Sequence, residues 1–576
     1  MHAMFASLSD WETSLQDALS QSGLIGDVFT LVARFFFPIL ALFIFFRCLW
    51  PLMSGGRRPR PWAHLVLQND MRIPLVHWEN AVGRGKNCDV VLDFPSISRE
   101  HAVITRKKDG WYIVDVSANQ GVTVNGTKCD GMTRFFDGDR LGIGDVTLTM
   151  LPVQGYVPER EPRRLRFATR AAEIARNFRP GVTLFYLLIF QLIGLVSFCL
   201  SMGQDFNFLA PGLFLGFMVV ELVYFLATRG QGRRYIEPEL LAFFLCGIGL
   251  FVSASVSPQS MITQLGAIVL GLLLFLLLTF LLNNTDRART ARYVFAGGAI
   301  LLLLVNLLLA QINNGARNWI EIGGINFQPS EFVKVAFVFV GASTLDRLLT
   351  RRNLFLFMGF AGVCVLALVW MRDFGAAAIF FTTFLVMAFM RSGDFRTLGI
   401  ALGVTGAGAF IAVSFMPYIA ARFAAWRHVW DFADTTGYQQ TRTMVYTASG
   451  GMLGVGAGNG YLRNVAAANT DLVFGVVSEE WGLIIAMVCA LAPLALAIFV
   501  GMSVKASRSS FYAITACGAA VILLMQAALN IFGSLDILPL TGVTLPFVST
   551  GGSSMVACWG LLACIKSIDE RHRAAQ

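Results

Sequence analysis

The sequence predicts a polytopic α-helical membrane protein of about 13 spans, with one all-β sandwich domain held on the cytoplasmic side. Three observations carry that prediction. The 576-residue chain is 56% hydrophobic and only 14% charged, against roughly a quarter charged in soluble domains. Apolar runs long enough to cross a bilayer recur along most of it. One polar, mixed stretch, residues 62–152, reads instead as short strands divided by turns.

The elements follow in order. Asp10, Glu12 and Asp17 precede the first apolar run, residues 29–49, without a basic stretch. That argues against a cleaved signal peptide and for a retained anchor. Arg57, Arg58 and Arg60 come next, so the positive-inside rule places residues 1–28 outside and the β-domain inside. A basic linker, 153–180, holds Arg163, Arg164, Arg166 and Arg179; it reads as a positive-inside anchor or as an amphipathic helix on the inner leaflet. Two further runs occupy 181–203 and 209–228. Ten more lie at 236–256, 261–283, 293–312, 330–346, 353–371, 375–390, 397–418, 476–503, 511–532 and 552–567.

Basic residues fall at alternate loops, including Arg229/Arg233/Arg234, Arg347/Arg351/Arg352 and Lys566/Arg571/Arg573. This leaves the C-terminus inside and puts loops 313–329, 372–374, 419–475 and 533–551 outside. Three polar, glycine-rich segments, 317–334, 470–482 and 538–554, then border the same face. Ionisable groups and irregular backbone at membrane depth persist mainly where they line a cavity or meet a substrate. These segments are therefore expected to converge on one site.

Other classes are excluded by composition. The net charge of +9 is carried in short loops, and no basic stripe with interleaved aromatics marks a nucleic-acid surface. The ten cysteines are scattered singly and lack metal-ligand spacing. Neither a disulfide framework nor a structural metal is expected. Gly450, Gly451, Gly454, Gly456, Gly458 and Gly460 read as a mobile or close-packed loop, since no phosphate-cradle motif follows them.

Within 62–152, the fragments Gly83-Arg84, Ser96-Ile-Ser-Arg-Glu-His101, Val124-Asn-Gly126 and Asp137-Gly-Asp139 occur in an order that resembles the forkhead-associated (FHA) domain over its whole length. The resemblance implies phosphothreonine-peptide binding by loops at one end. Arg84 and Ser98 match the phosphate contacts, with Arg99 beside them. A guanidinium fork and a hydroxyl suit a dianionic phosphate. His101 matches a structural, loop-orienting histidine, and Gln120 or Asn119 aligns with the residue that clamps peptide backbone. A phosphothreonine protein from a Ser/Thr kinase pathway is the implied partner.

From about Tyr235 onward, the chain resembles the SEDS (shape, elongation, division and sporulation) family of the FtsW/RodA type. The resemblance rests on Arg317-x-Trp319-Ile320, Gln328-Pro-Ser-Glu331-x-x-Lys334, Asp373-Phe-Gly375 and Gly437-Tyr438-Gln439, with Thr470-Asp471, Glu479-Glu480 and the run Leu545 to Ser554. It implies a ten-span glycosyltransferase core, 235–576, that polymerises lipid II into β-1,4 glycan strands at the outer face of the bacterial cytoplasmic membrane. It also implies a class B penicillin-binding protein transpeptidase as partner. The two spans at 181–228 are additional to that core.

By the same resemblance an aspartate just before Gly437-Tyr438-Gln439 is the general base. Gapless alignment puts Phe432 at its usual position, so the candidates are Asp431, one residue away, and Asp434, two away. Arg442, Arg317 and Lys334 are candidate phosphate, sugar or peptide contacts. Trp319, Asp373, Tyr438, Gln439 and Ser553 join them as substrate-binding candidates. Glu331 and Lys334, one helical turn apart, read equally as an internal ion pair. Asp471 and Glu480 read as loop-fixing groups or cation ligands, and Asn469 replaces a frequent histidine. A divalent cation, Mg or Mn, accompanying the lipid pyrophosphate stays open. Ser549, Ser553 and Ser554 also read as backbone caps. Two rival readings remain: a lipid II transporter using Glu221, Glu331 and Lys334, and a scaffold that recruits a transpeptidase.

Overall fold

A computed structural model of the chain describes residues 23–53, 61–85, 88–107, 109–116, 121–153, 178–202, 208–233, 235–283, 285–313, 316–322, 325–346, 351–392, 417–504, 507 and 509–569, with single positions 395, 399, 402, 403 and 406. Helix α1 (Gly23–Leu52) precedes the β-domain, and α2 (Pro180–Met202) and α3 (Leu209–Gly230) follow it. The remaining helices are α4 (Glu237–Val256), α5 (Ser260–Leu282), α6 (Thr285–Leu309), α7 (Pro329–Asp346), α8 (Arg351–Trp370) and α9 (Phe374–Ser392). Then come α10 (Pro417–Ala425), α11 (Tyr438–Gly450), α12 (Val473–Trp481), α13 (Leu483–Val504), α14 (Ser510–Ser534) and α15 (Gly552–Lys566).

Among the described residues, eight helices are long and apolar enough to cross a membrane: α1 to α6, α13 and α14. Shorter apolar helices occupy Leu354–Trp370, Phe374–Met390 and Gly552–Lys566. The expected run at 397–418 lies almost wholly outside the described residues, as do most of 1–28, the linker from 154 to 177 and the C-terminal seven residues. The expected run at 476–503 is corrected. Gly482, at φ 91°, ends α12 and starts a separate helix at Leu483. Any Cβ there would stand 2.4 Å from the Met452 carbonyl oxygen, so glycine is required. The expected loop at 313–329 is corrected too, being a three-stranded antiparallel meander whose strands run Gln311–Asn313, Ala316–Ile322 and Ile325–Phe327.

Helix packing relies on close backbone approach, as it must where lipid gives no hydrophobic drive. α5 meets α15 where Gly271 faces Trp559, and Gly249 of α4 lies against the carbonyl of Val548. α1 packs on α2, α4 and α13, and α3 packs on α4 and α5. Polar side chains fix these additions. Gln191 of α2 donates to Glu221 of α3 at 2.7 Å, while Tyr224 of α3 reaches Glu239 of α4, itself paired with Lys566 at 3.2 Å.

The β-domain is a sandwich of a six-stranded and a five-stranded sheet. Six strands, Ala63–Leu67, Val90–Val91, Ala102–Lys107, Gly110–Asp115, Val122–Val124 and Val146–Pro152, fall on alternating stretches of residues 62–152. Strands Arg72–Leu75, Glu79–Gly83, Thr127–Lys128, Met132–Phe135 and Arg140–Ile143 complete the sheets and were not legible in the pattern. Leu65, Leu75, Val82, Ile104, Ile113, Leu141, Ile143 and Leu148 are buried between the layers. Asn125 and Gly126 both have positive φ, the conformation that tight hairpins need. His77 touches the membrane domain, its Nδ1 donating to the Ser507 carbonyl at 2.8 Å.

Candidate active site

The first polar segment is built around Asp373. Its Oδ1 accepts from Ala376 N at 3.0 Å, capping α9. Its Oδ2 accepts from Asn318 Nδ2 and Gln328 Nε2, each at 3.2 Å. Arg317 N donates to the Met371 carbonyl at 2.9 Å, fastening the meander to the α8–α9 turn. The Arg317 side chain itself is exposed, and Trp319 is half-buried. In the first turns of α7, Lys334 Nζ sits 2.6 Å from Glu331 Oε1. Both are buried. The ion-pair reading of these two residues therefore holds, and the Lys334 charge is already met. Asp373, similarly, is satisfied by three protein donors.

The second and third segments are stitched together. Ser549 Oγ donates to the Thr470 carbonyl at 2.6 Å and accepts from Leu545 N at 2.8 Å. Thr550 N donates to the Asn469 carbonyl at 2.8 Å. Asn530 of α14 supplies one amide to three carbonyls, those of Val543 at 2.8 Å, Asp471 at 3.0 Å and Thr470 at 3.4 Å. Gln264 of α5 donates to the Ser549 carbonyl at 3.2 Å. The first segment joins through Ser553, whose Oγ accepts from Gln328 N at 3.3 Å; Ser554 pairs with Thr544 at 2.7 Å. The three segments thus meet at one end of the bundle, and the serines act as backbone caps. Burial pushes the Asp471 carboxyl above the usual carboxylate range, against opposing pulls from Thr470 and the Arg422 guanidinium.

Glu479 and Glu480 hold the glycine loop. Glu479 accepts from Tyr461 N and Leu462 N at 2.8 and 2.9 Å. Glu480 accepts from Gly458 N at 3.1 Å and from the Ser255 hydroxyl. A Cβ on Gly454 would stand 2.3 Å from the Glu480 carbonyl oxygen, so the loop is close-packed. Each Glu480 oxygen thus accepts one protein hydrogen bond, consistent with the loop-fixing reading. Among the described residues, no three His, Cys, Asp or Glu side chains cluster for a metal.

The stretch 426–437 hangs from the third segment. Arg422 donates to the Leu540 carbonyl at 2.7 Å, Trp426 Nε1 to the Ile537 carbonyl at 3.1 Å, and Arg427 N to Asp536 Oδ1 at 3.1 Å. Asp431 and Asp434 lie on this turn, both exposed, and neither carboxylate has a hydrogen bond or ion pair among the described residues. Gly437 packs on Val429, where any side chain would meet its carbonyl at 2.3 Å. At the start of α11, Arg442 lies over the Tyr438 ring at 5.2 Å, and Gln439 donates to the Ala466 carbonyl at 2.9 Å. Asn530, Gln264, Asn318 and Arg422 were not singled out from sequence, and Gln328 was read only as part of a motif. A lone amide inside an apolar run, as at 264 and 530, was the available signal.

In the β-domain, Arg84 N donates to the Ser98 carbonyl at 3.0 Å and Gly85 N to the Arg99 carbonyl at 2.8 Å, which brings the two candidate loops together. The Arg84 and Arg99 side chains are exposed. His101 is buried, and its Nδ1 accepts from Ser98 N at 3.1 Å, the loop-orienting role expected. Asn119 and Gln120 lie outside the described residues.

Residues 240–574 match the model of the FtsW/RodA/SpoVE cell cycle proteins, and residues 80–144 match the FHA domain. The peptidoglycan glycosyltransferase RodA of Mycobacterium tuberculosis is 31% identical over 317 residues, which cover 52% of this chain and 67% of that protein. The probable peptidoglycan glycosyltransferase FtsW of Allochromatium vinosum is 30% identical over 322 residues, covering 54% of this chain and 81% of its own. A chain from a solved peptidoglycan synthase complex that coordinates polymerization and crosslinking is 26% identical, covering 59% of this chain and 98% of its own, with a TM-score of 0.48. With more than half its length matched, the chain belongs to the FtsW/RodA/SpoVE family and carries an FHA domain between its first and second helices.

Proposed function

We propose that this enzyme, a peptidoglycan glycosyltransferase, polymerises lipid II at the outer face of the cytoplasmic membrane, with its FHA domain and C-terminus inside. The observation that supports it most is the joining of the three polar segments beside a turn whose two exposed carboxylates, Asp431 and Asp434, have no partner among the described residues. An acceptor sugar hydroxyl attacks the donor's anomeric carbon in line. One of the two carboxylates takes the hydroxyl proton as general base, for which an exposed carboxylate within hydrogen-bond reach of the acceptor is required. The pyrophosphate leaves with the bonding electron pair, inverting the α-linkage to β-1,4. Cations placed at the leaving group lower that barrier. Exposed Arg317 and half-buried Arg442 are the candidates, since Lys334 is neutralised by Glu331.

The same neutralisation weakens the transporter reading, which needs Glu331 and Lys334 open to a passing substrate. Arg84 and Ser98 of the FHA domain recognise a phosphothreonine protein, and a class B penicillin-binding protein is the expected transpeptidase partner. Glycan formation from purified lipid II by wild type, Asp431→Asn and Asp434→Asn tests the reading, each assayed with a candidate transpeptidase. Polymer from wild type and from only one variant identifies the base. Equal polymer from both variants excludes either carboxylate, and none from wild type overturns the polymerase.

A further inference from the structure

The three N-terminal helices have no part in the proposed reaction, yet their contacts gather at one place. Phe37, midway along α1 and buried, stacks on Phe190 of α2 with ring centroids 3.9 Å apart. Its ring also lies 4.8 Å from that of Trp481, which meets Phe251 of α4 at the same distance. One turn earlier, the Arg34 guanidinium comes within 3.7 Å of where a Gly456 Cβ would stand. Ser201 and Phe198 at the end of α2 meet Gly458 likewise, at 3.2 and 3.8 Å. Pro38 cannot supply the N–H that the Arg34 carbonyl would accept, so α1 is most deformable at these contacts.

Trp481 is the last residue of α12, a nine-residue helix, about 13 Å long at 1.5 Å per residue. Two residues before its other end stands Asp471, tied to Asn530. The helix therefore runs from the grip of α1 to the middle of the site, and the break at Gly482 separates it from α13.

We infer that α1 is a positioning element for the candidate active site, with Phe37 acting through Trp481 and the rigid α12 to set where Asp471 and its partners stand. The inference rests on the polymerase reading and adds a route for its regulation. α1 ends at Leu52, with ten residues between it and the first FHA strand, which begins at Ala63. The phosphothreonine reader is thus attached to the inner end of a rod whose middle holds α12.

The full chain in lipid nanodiscs provides the test, through lipid II kinetics and amide hydrogen exchange of residues 467–482. Phe37→Ala is expected to lower kcat at least fivefold with KM changed less than twofold, and to speed exchange in 467–482 severalfold. Phe37→Leu, which keeps apolar bulk, should recover at least half of kcat. If Phe37→Ala gives no folded protein, Trp481→Phe and Phe37→Leu carry the same comparison. Unchanged exchange together with unchanged kcat overturns the inference, as does a loss confined to the yield of folded protein. A wild type that makes no polymer counts against the polymerase reading alone, because the exchange measurement still decides the positioning role.

Discussion

Replacing Lys334 by methionine would separate a structural ion pair from a substrate contact. Lys334 is 1% and Glu331 5% exposed, and Glu331 Oε2 has no partner. Lys334→Met therefore strands a carboxylate whose one hydrogen bond among the described residues is the 2.6 Å contact to the lost ammonium. Breaking a buried pair by removing one member costs about 3–5 kcal/mol, whereas replacing both members is often neutral. At about 1.4 °C per kcal/mol for a core of roughly 340 residues, the single variant should lose roughly 4 °C or more in Tm. Lys334→Met combined with Glu331→Gln should recover most of it. The assay is thermal unfolding of the detergent-solubilised full chain, arranged as a double-mutant cycle and accompanied by polymerisation rates. Two results would refute the reasoning: an unchanged Tm in Lys334→Met, or a double variant that is stable yet cannot bind lipid II. The second would make the pair a substrate contact.

Four further outcomes are expected. Asn530→Ala strips the amide from three carbonyls, each costing about 1–3 kcal/mol if left bare; polymerisation should fall at least tenfold, with lowered Tm. Gly454→Ala combines a 2.3 Å clash with a positive φ of 83° and should cost more than the roughly 1 kcal/mol of an ordinary Gly-to-Ala mismatch, read as loss of folded protein by size exclusion. Arg84→Ala should weaken capture of a phosphothreonine peptide library about tenfold or more, the worth of one charge-assisted bond, without moving the Tm; His101→Ala, which removes the acceptor for Ser98 N, should lower that Tm as well. Asp471 has its pKa raised by burial. Its contribution to stability is full below the unfolded carboxylate value and is lost as pH rises through the folded one, so Asp471→Asn should flatten the Tm profile above the ordinary carboxylate range.

Much of the fold was legible because bilayer and sheet both impose simple periods. The α1 to α6 runs and the six alternating β-strands follow directly from apolar length and from side-chain alternation. The misreadings have local causes. The apolar run 476–503 hides a helix break that only the left-handed geometry of Gly482 reveals. Residues 313–329 form strands whose stability comes from pairing with one another and from the Arg317–Met371 tie, neither visible in composition. The convergence of the three segments was legible from charge alternation, since a shared face follows from counting crossings. The groups that enforce it were not. Asn530 and Gln264 act on carbonyls far away in sequence, and nothing in their flanking residues says which. The choice between Asp431 and Asp434 stays open for a similar reason: both sit exposed on one turn, and among the described residues neither carboxylate has a partner that marks it.

The shielding of α4 by the N-terminal helices has a consequence for traffic in the plane of the bilayer. A lipid-anchored molecule reaches a membrane enzyme by sideways diffusion and needs an unwalled flank at which to dock. α4 is almost wholly enclosed, whereas Leu301, Leu304, Leu308 and Leu309 of α6 and Phe355, Leu356 and Leu366 of α8 stand open. With α1, α2 and α3 in place, the α4 flank offers no entrance, so in the proposed reaction a lipid-linked precursor enters at one of the flanks that stay open, among them those of α5, α6 and α8.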